Sequence, residues 1–232
     1  MRPVDKGNMV ELAKYEDAKP DLIARLGEFC CYCEAPASPQ QLHIEHIRSQ
    51  NAHPLLVKLW ANLTLACTTC NTYKRHYLGD GRQSKMLRRF LWAHLDNTFN
   101  AFVYDPNGHV SPQPGLPPNL IAIAQATCDM IGLMRSPAVA DEYNELGIAY
   151  DGVKKRQEAW GIAETALEAY EENPSPKQIQ AIADACYKSG YFSVWMRVFR
   201  RQTKVRLALI ERCKGAQGCF GADSLPIARG RL

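Results

Sequence analysis

Two Cys-x-x-Cys pairs constrain this chain more than any other feature. Cys30 and Cys33 form the first pair, and Cys67 and Cys70 form the second. Each pair makes a knuckle that turns two sulfurs inward, and two knuckles can close a tetrahedral thiolate site around zinc. The plainer readings are a redox-active pair, or coincidence in a Cys-rich chain. Cys31 is an alternative partner for Cys33, at a less usual C-x-C spacing, and is read as a non-ligand. The opening segment, MRPVDKGNMVELAKYEDAKP, is charged and has no apolar h-region. The expected location is therefore a reducing cytoplasm, where nine cysteines point to metal ligands or buried thiols rather than disulfides. The interval between the pairs holds few apolar residues, so zinc would supply much of its folding energy.

At 232 residues the chain is one large domain or two small ones. Its hydrophobic content of 46% and charged content of 22% are those of a soluble globular protein. No apolar run approaches the ~18 residues of a membrane span. A net charge of +4 permits nucleic-acid binding without arguing for it. The basic residues are uneven: Lys74, Arg75 and His76, then Arg82, Lys85, Arg88 and Arg89, follow the second cysteine pair. Arg197, Arg200, Arg201, Lys204 and Arg206 form a second run that would face either DNA or a partner subunit. The plain reading of each run is a solvated helix face.

In chain order, residues 20–27 predict a short helix ended by Gly27. The alternation in QLHIEHI predicts a strand that breaks near His46, and ANLTLAC predicts a second strand. A helix is expected from Asn71, a good N-cap residue. SKMLRRFLWAHL reads as an amphipathic helix, and Phe99–Tyr104 as a strand entering a turn at 105–108. The Pro-rich segment 111–119 is the expected domain boundary. It divides a first domain, 1–110 with its core at 29–78, from a helical, partner-binding subdomain, 111–232. In that second part, helices are expected over 119–134, over 137–171 (broken or not at Gly147 and Gly152), from Pro176, and through YFSVWMRVFRRQTKVRLALIERC. The fold class is α+β, predominantly α-helical. Cys128, Cys186, Cys213 and Cys219 lack zinc spacing and read as structural thiols.

Between the cysteine pairs lies Glu45-His46. Strand neighbours point to opposite faces, so both can serve one site only at a strand end or bulge. A neutral imidazole is a good general base near pH 7. A carboxylate beside it can hold a hard divalent cation such as Mg²⁺, or Mn²⁺ in its place, and Asn71 offers a second oxygen. Phosphodiester hydrolysis needs that combination: a base for the water, and a cation for the charge growing on the phosphate and leaving oxygen. His43 could share Glu45's face or lie on the surface; His53 and His76 read as solvated.

The segments IEHI, W-x-NL-x-LAC and CxxCNxxK together resemble the HNH endonucleases in their zinc-bound ββα-metal form, over about 48 residues. The resemblance implies a metal-binding role for Glu45, a general-base role for His46 and a metal-ligand role for Asn71. It implies that Asn62 braces the loop, that Lys74 lies near the phosphate, and that Cys30, Cys33, Cys67 and Cys70 hold a structural zinc. CCYCE, HIEHIRSQ, DNTFNAFVY and the YFSVWMRVF segment are also similar to the HNH subunit of Septu-type and retron-associated anti-phage systems. That narrower resemblance implies a DNA-cutting effector that works beside an ATPase of the ABC or SMC type. Relatives often carry Pro-Lys after the EH motif, whereas this chain has Arg48, Ser49 and Gln50 there. Backbone binding would then fall to Lys74, Arg48 and Arg75. The rival readings are a non-catalytic zinc-knuckle module that binds nucleic acid or protein, and an HNH nuclease that acts on RNA. Homo-oligomerisation is left open.

Overall fold

The computed structural model describes residues 1–8, 11–79, 87–137 and 151–232. Among them are seven α-helices and two two-stranded sheets, so helix outweighs strand as expected. In chain order these are α1 (Ala18–Leu26), β1 (Leu42–His46), β2 (Leu63–Cys67), α2 (Thr68–Leu78), β3 (Phe102–Tyr104), β4 (Val110–Pro112), α3 (Pro118–Ile131), α4 (Gly152–Glu172), α5 (Pro176–Ser189), α6 (Phe192–Val198) and α7 (Thr203–Arg212).

The site is carried by β1, β2 and α2. The two strands pair antiparallel, with Leu42 opposite Cys67, Glu45 opposite Thr64 and His46 opposite Leu63. Leu42, Leu63 and Leu65 are fully buried, and α1 covers them with Ala18, Leu22 and Leu26. The leucines on these elements therefore fix the register, because a slip by one residue would turn them to solvent.

Helix α2 begins three residues earlier than expected. Cys67 is its N-cap, and Thr68, Thr69 and Cys70 form its first turn, so the second cysteine knuckle is itself the start of the helix. Asn71 consequently sits within the helix and is free to face the site. Helix α3 starts at Pro118, one residue before the expected start; a proline fits there because a first-turn N–H has no intrahelical partner. It ends at Gly132, whose φ of +57° only glycine adopts cheaply, and whose added Cβ would meet the Tyr73 ring at 2.7 Å. That close approach seats α3 on α2.

The amphipathic helix expected over 84–95 is not formed by the part described. Residues 87–89 make one 3₁₀ turn, the residues after it are loop, and residues 80–86 lie outside the described residues. Side chains take the backbone donors a helix would need: Thr127 Oγ1 accepts from the Leu91 N–H at 2.8 Å, and Asp96 Oδ2 from the Trp92 N–H at 2.9 Å. Phe90, Leu91 and Trp92 are buried all the same. The strand expected over 99–104 is confined to β3, preceded by a 3₁₀ turn at Thr98–Asn100. Gly147 lies outside the described residues, and Gly152 opens α4.

The polar N-terminal segment is more deeply packed than its composition suggests. Met1 and Val4 are fully buried, and Arg2 and Lys6 nearly so. Lys6 Nζ donates to the Trp60 and Leu63 carbonyls at 2.7 and 2.6 Å. The chain after α7 is irregular, as expected, yet it is tied back: the Arg231 guanidinium bonds to Asp96, and Asn97 Nδ2 donates to the Cys219 and Ile227 carbonyls. Cys186 and Cys213 meet in this region, with sulfurs 4.0 Å apart in the buried space between α5 and the end of α7.

Candidate active site

The four sulfurs of Cys30, Cys33, Cys67 and Cys70 lie within 4.8 Å of one another. A tetrahedral zinc with bonds near 2.3 Å requires sulfurs separated by about 3.8 Å; Cys33 and Cys67 stand at 4.0 Å. The set therefore fits zinc, and Cys31 is not part of it. Three of the four cysteines are buried and Cys67 is half-buried, which suits a closed structural site. The first knuckle closes through Glu34 at φ +68°, a conformation that costs a non-glycine residue roughly 1–2 kcal/mol. That residue is held from outside: its carboxylate accepts the Ser193 N–H at 2.7 Å and the Tyr104 hydroxyl at 3.2 Å. On the second knuckle, Arg135 Nη2 donates to Cys70 Sγ at 3.3 Å. Thiol contacts within the cluster hold Cys67 far below the ordinary thiol range, while burial pushes Cys30 up.

Beside the cluster lies a cavity of about 410 Å³, bordered by Glu45, His46, Ser49, Gln50, Asn71 and Arg75 among others. Glu45 and His46 share it because β1 ends at His46, where the alternation of faces stops applying. The loop that follows is braced by Asn62, whose Oδ1 accepts the Arg48 N–H at 2.8 Å and whose Nδ2 donates to the Arg48 and Leu56 carbonyls at 3.0 and 3.2 Å.

His46 is held in one tautomer. Its Nε2 lies 3.0 Å from the Val57 carbonyl oxygen, which only accepts, so Nε2 carries the hydrogen and Nδ1 keeps its lone pair. Nδ1 is 3.2 Å from Gln50 Nε2. The Tyr15 ring packs edge-on at 4.9 Å. Burial, as the largest influence, lowers the imidazolium below its ordinary value, so the ring is neutral at pH 7.

The Glu45 carboxylate is buried. Its Oε1 accepts from the Tyr32 hydroxyl at 3.2 Å and from the Lys74 ammonium. Burial and the Glu45 charge raise the Tyr32 phenol well above its ordinary range, so it stays a donor. Among the described residues no donor meets Oε2. With the Asn71 amide on the same cavity, that leaves two hard oxygens, which fit a divalent cation of the Mg²⁺ type.

Lys74 borders the same cavity, with its ammonium turned to buried acceptors. It is 5% exposed, and its ammonium also donates to the His46 and Ile47 carbonyls at 2.7 and 3.2 Å. It ties α2 to the end of β1. Arg75, on the exposed side of α2, borders the cavity, whereas Arg48 is joined to the site through its backbone. His43 is exposed and bonds to Thr68 Oγ1 at 2.9 Å. Sequence reasoning missed Tyr32 and Arg135. Tyr32 was findable in principle, since it lies inside the first cysteine knuckle; Arg135 gave no local signal.

The family model described as HNH endonuclease matches residues 30–76, the span that holds both knuckles, both strands and most of α2. Residues 30–76 form an HNH endonuclease domain. A chain from Vibrio cholerae serotype O1 biovar El Tor, named as a candidate HNH endonuclease of retron Vc95, is 28% identical over 110 residues. The match covers 46% of this chain and 52% of the relative, so the chain spans about half the length of the relative it matches. No helix among the described residues is long and apolar enough to cross a membrane.

Proposed function

We propose that the HNH domain hydrolyses phosphodiester bonds of DNA in a divalent-cation-dependent reaction. The observation that carries this reading is the fixed tautomer of His46: a buried, neutral imidazole presents its unprotonated Nδ1 to a cavity that also holds a carboxylate and an amide oxygen. His46 Nδ1 takes the proton of the attacking water. The Val57 carbonyl keeps the ring oriented and stabilises the imidazolium that forms, since the Nε2–H bond strengthens when the ring is charged. Glu45 and Asn71 would hold the cation, which supplies stabilisation of the charge on the phosphate and leaving oxygen. Lys74 and Tyr32 fix Glu45 through Oε1 and leave Oε2 for that purpose. Arg75 would steer the backbone into the cavity. The zinc site is structural in this reading, because its four thiolates leave no open position.

At a coarser level, similarity to a retron-associated relative supports a place in anti-phage defence; the resemblance of CCYCE and HIEHIRSQ to Septu-type subunits implies an ATPase of the ABC or SMC type, which would load or trigger the nuclease. A cytoplasmic location follows from the same reading. The test is nicking of supercoiled plasmid with Mg²⁺ or Mn²⁺ against EDTA, with a single-stranded RNA of equal charge alongside. Cation-dependent cleavage of the plasmid is expected. Cleavage of RNA alone would move the substrate class, and no cleavage of either by the chain with its ATPase partner would leave the domain a binding module.

A further inference from the structure

We propose that Gln50 is the water-positioning residue of this site, its side-chain amide holding the attacking water on His46 Nδ1. The inference rests on the hydrolase reading above. Three observations lead to it. Gln50 Nε2 stands 3.2 Å from Nδ1, the one ring nitrogen with a lone pair. Gln50 borders the cavity that Glu45, Asn71 and Arg75 also border. And its side chain is exposed, reached from the first turn of the loop after β1 rather than wedged in the core.

A neutral imidazole nitrogen has a single lone pair, so the amide N–H and a reactive water compete for it. In the resting site the amide covers Nδ1. When water replaces it, rotation of the same amide brings Oε1 toward the water. The water then donates one hydrogen to Nδ1 and the other to Gln50 Oε1, which leaves an oxygen lone pair aimed at phosphorus. As the oxygen–phosphorus bond forms, the first hydrogen passes to Nδ1. The second stays on the new phosphate oxygen, and the leaving oxygen, as it departs with its electron pair, takes a proton from solvent. An amide suits this role because it donates or accepts at one length without carrying charge; a lysine offers donors only.

The test separates positioning from phosphate binding. Gln50→Ala and Gln50→Lys are compared with the unaltered chain on a plasmid and on a short duplex, with cleavage rate, KM and DNA affinity in EDTA measured separately. Thermal melting shows that both variants are folded. Gln50→Ala is expected to lose roughly 10- to 100-fold in kcat with KM and DNA affinity unchanged. Gln50→Lys is expected to bind DNA more tightly and still cleave slowly. A rise in KM with kcat intact, no change in either constant, or full-rate cleavage by Gln50→Lys would overturn the assignment. Failure of the unaltered chain to cleave, both alone and with an ATPase partner present, would remove the hydrolase reading, and this assignment with it, which is a different result from any of those.

Discussion

At the scale of single residues, the site is built by making charged and polar groups depend on one another. Lys74 shows this most clearly. Its ammonium, its carboxylate partner Glu45 and two carbonyls at the end of β1 form one buried unit. Removing one member of a buried pair strands the other, at a cost of roughly 3–5 kcal/mol. Lys74→Ala should therefore lower the unfolding free energy by that order and lose activity together, whereas Arg75→Ala should keep stability within about 0.5 kcal/mol and weaken DNA binding. Chemical denaturation with a DNA-binding titration checks both. His94 gives a pH prediction. It is buried, its Nε2 has no partner among the described residues, and desolvation helped by the Lys6 charge pushes its imidazolium down to about 3. The unfolded chain binds this proton at the ordinary histidine value, so between those limits the unfolded state holds more protons than the native state. Stability is then lost as pH falls from about 6.5 toward 3, by on the order of a few kcal/mol from this residue. Melting curves over that range should flatten in His94→Phe, provided that variant folds at pH 7.

Among elements, the junction of β1, its following loop and α2 decides the geometry. Asn62 makes three hydrogen bonds across that loop, and the loop supplies the Val57 carbonyl to His46. Asn62→Ala should cost about 1–3 kcal/mol through the buried groups it leaves unpaired. It should also lower kcat by letting His46 turn, which single-turnover cleavage beside a denaturant titration would show. Much of this junction was legible in the sequence. The two strands follow from alternation around Leu42, Ile44, Leu63 and Leu65, and the cysteine pairs follow from spacing. The start of α2 was not legible, because the N-cap propensity of Asn71 competes with a knuckle geometry that begins the helix at Thr68. The helix expected after residue 84 failed for a similar reason. Its apolar spacing is real, but Thr127 and Asp96, distant or downstream in sequence, take the backbone N–H groups. The buried acceptors of Lys74 were not legible either, because a lysine beside a site looks solvated until they are known.

For the whole molecule, the zinc cluster is the point where distant segments meet. The first knuckle is fastened by Glu34 to Ser193 on α6 and to Tyr104 on β3, and the second by Arg135 beyond α3. None of those partners can be found from local pattern, since each lies tens of residues or more from the cysteine it supports. Loss of metal should thus be felt beyond residues 30–76. Cys67→Ser, or chelation of the metal, should expose the first 80 residues and loosen α6 to proteolysis, with zinc content falling in step. Retention of the protease-resistant fold without metal would contradict a stapling role. The central claim about the molecule is that His46 is the base of a phosphodiesterase site held in shape by that staple. It is tested most directly by single-turnover cleavage of a defined DNA duplex with Mn²⁺, comparing the unaltered chain with His46→Ala, zinc content and melting temperature being measured on the same samples. The expected result is loss of cleavage by at least about 100-fold with zinc content and melting unchanged; cleavage at the unaltered rate in a folded, zinc-bound His46→Ala protein would contradict it.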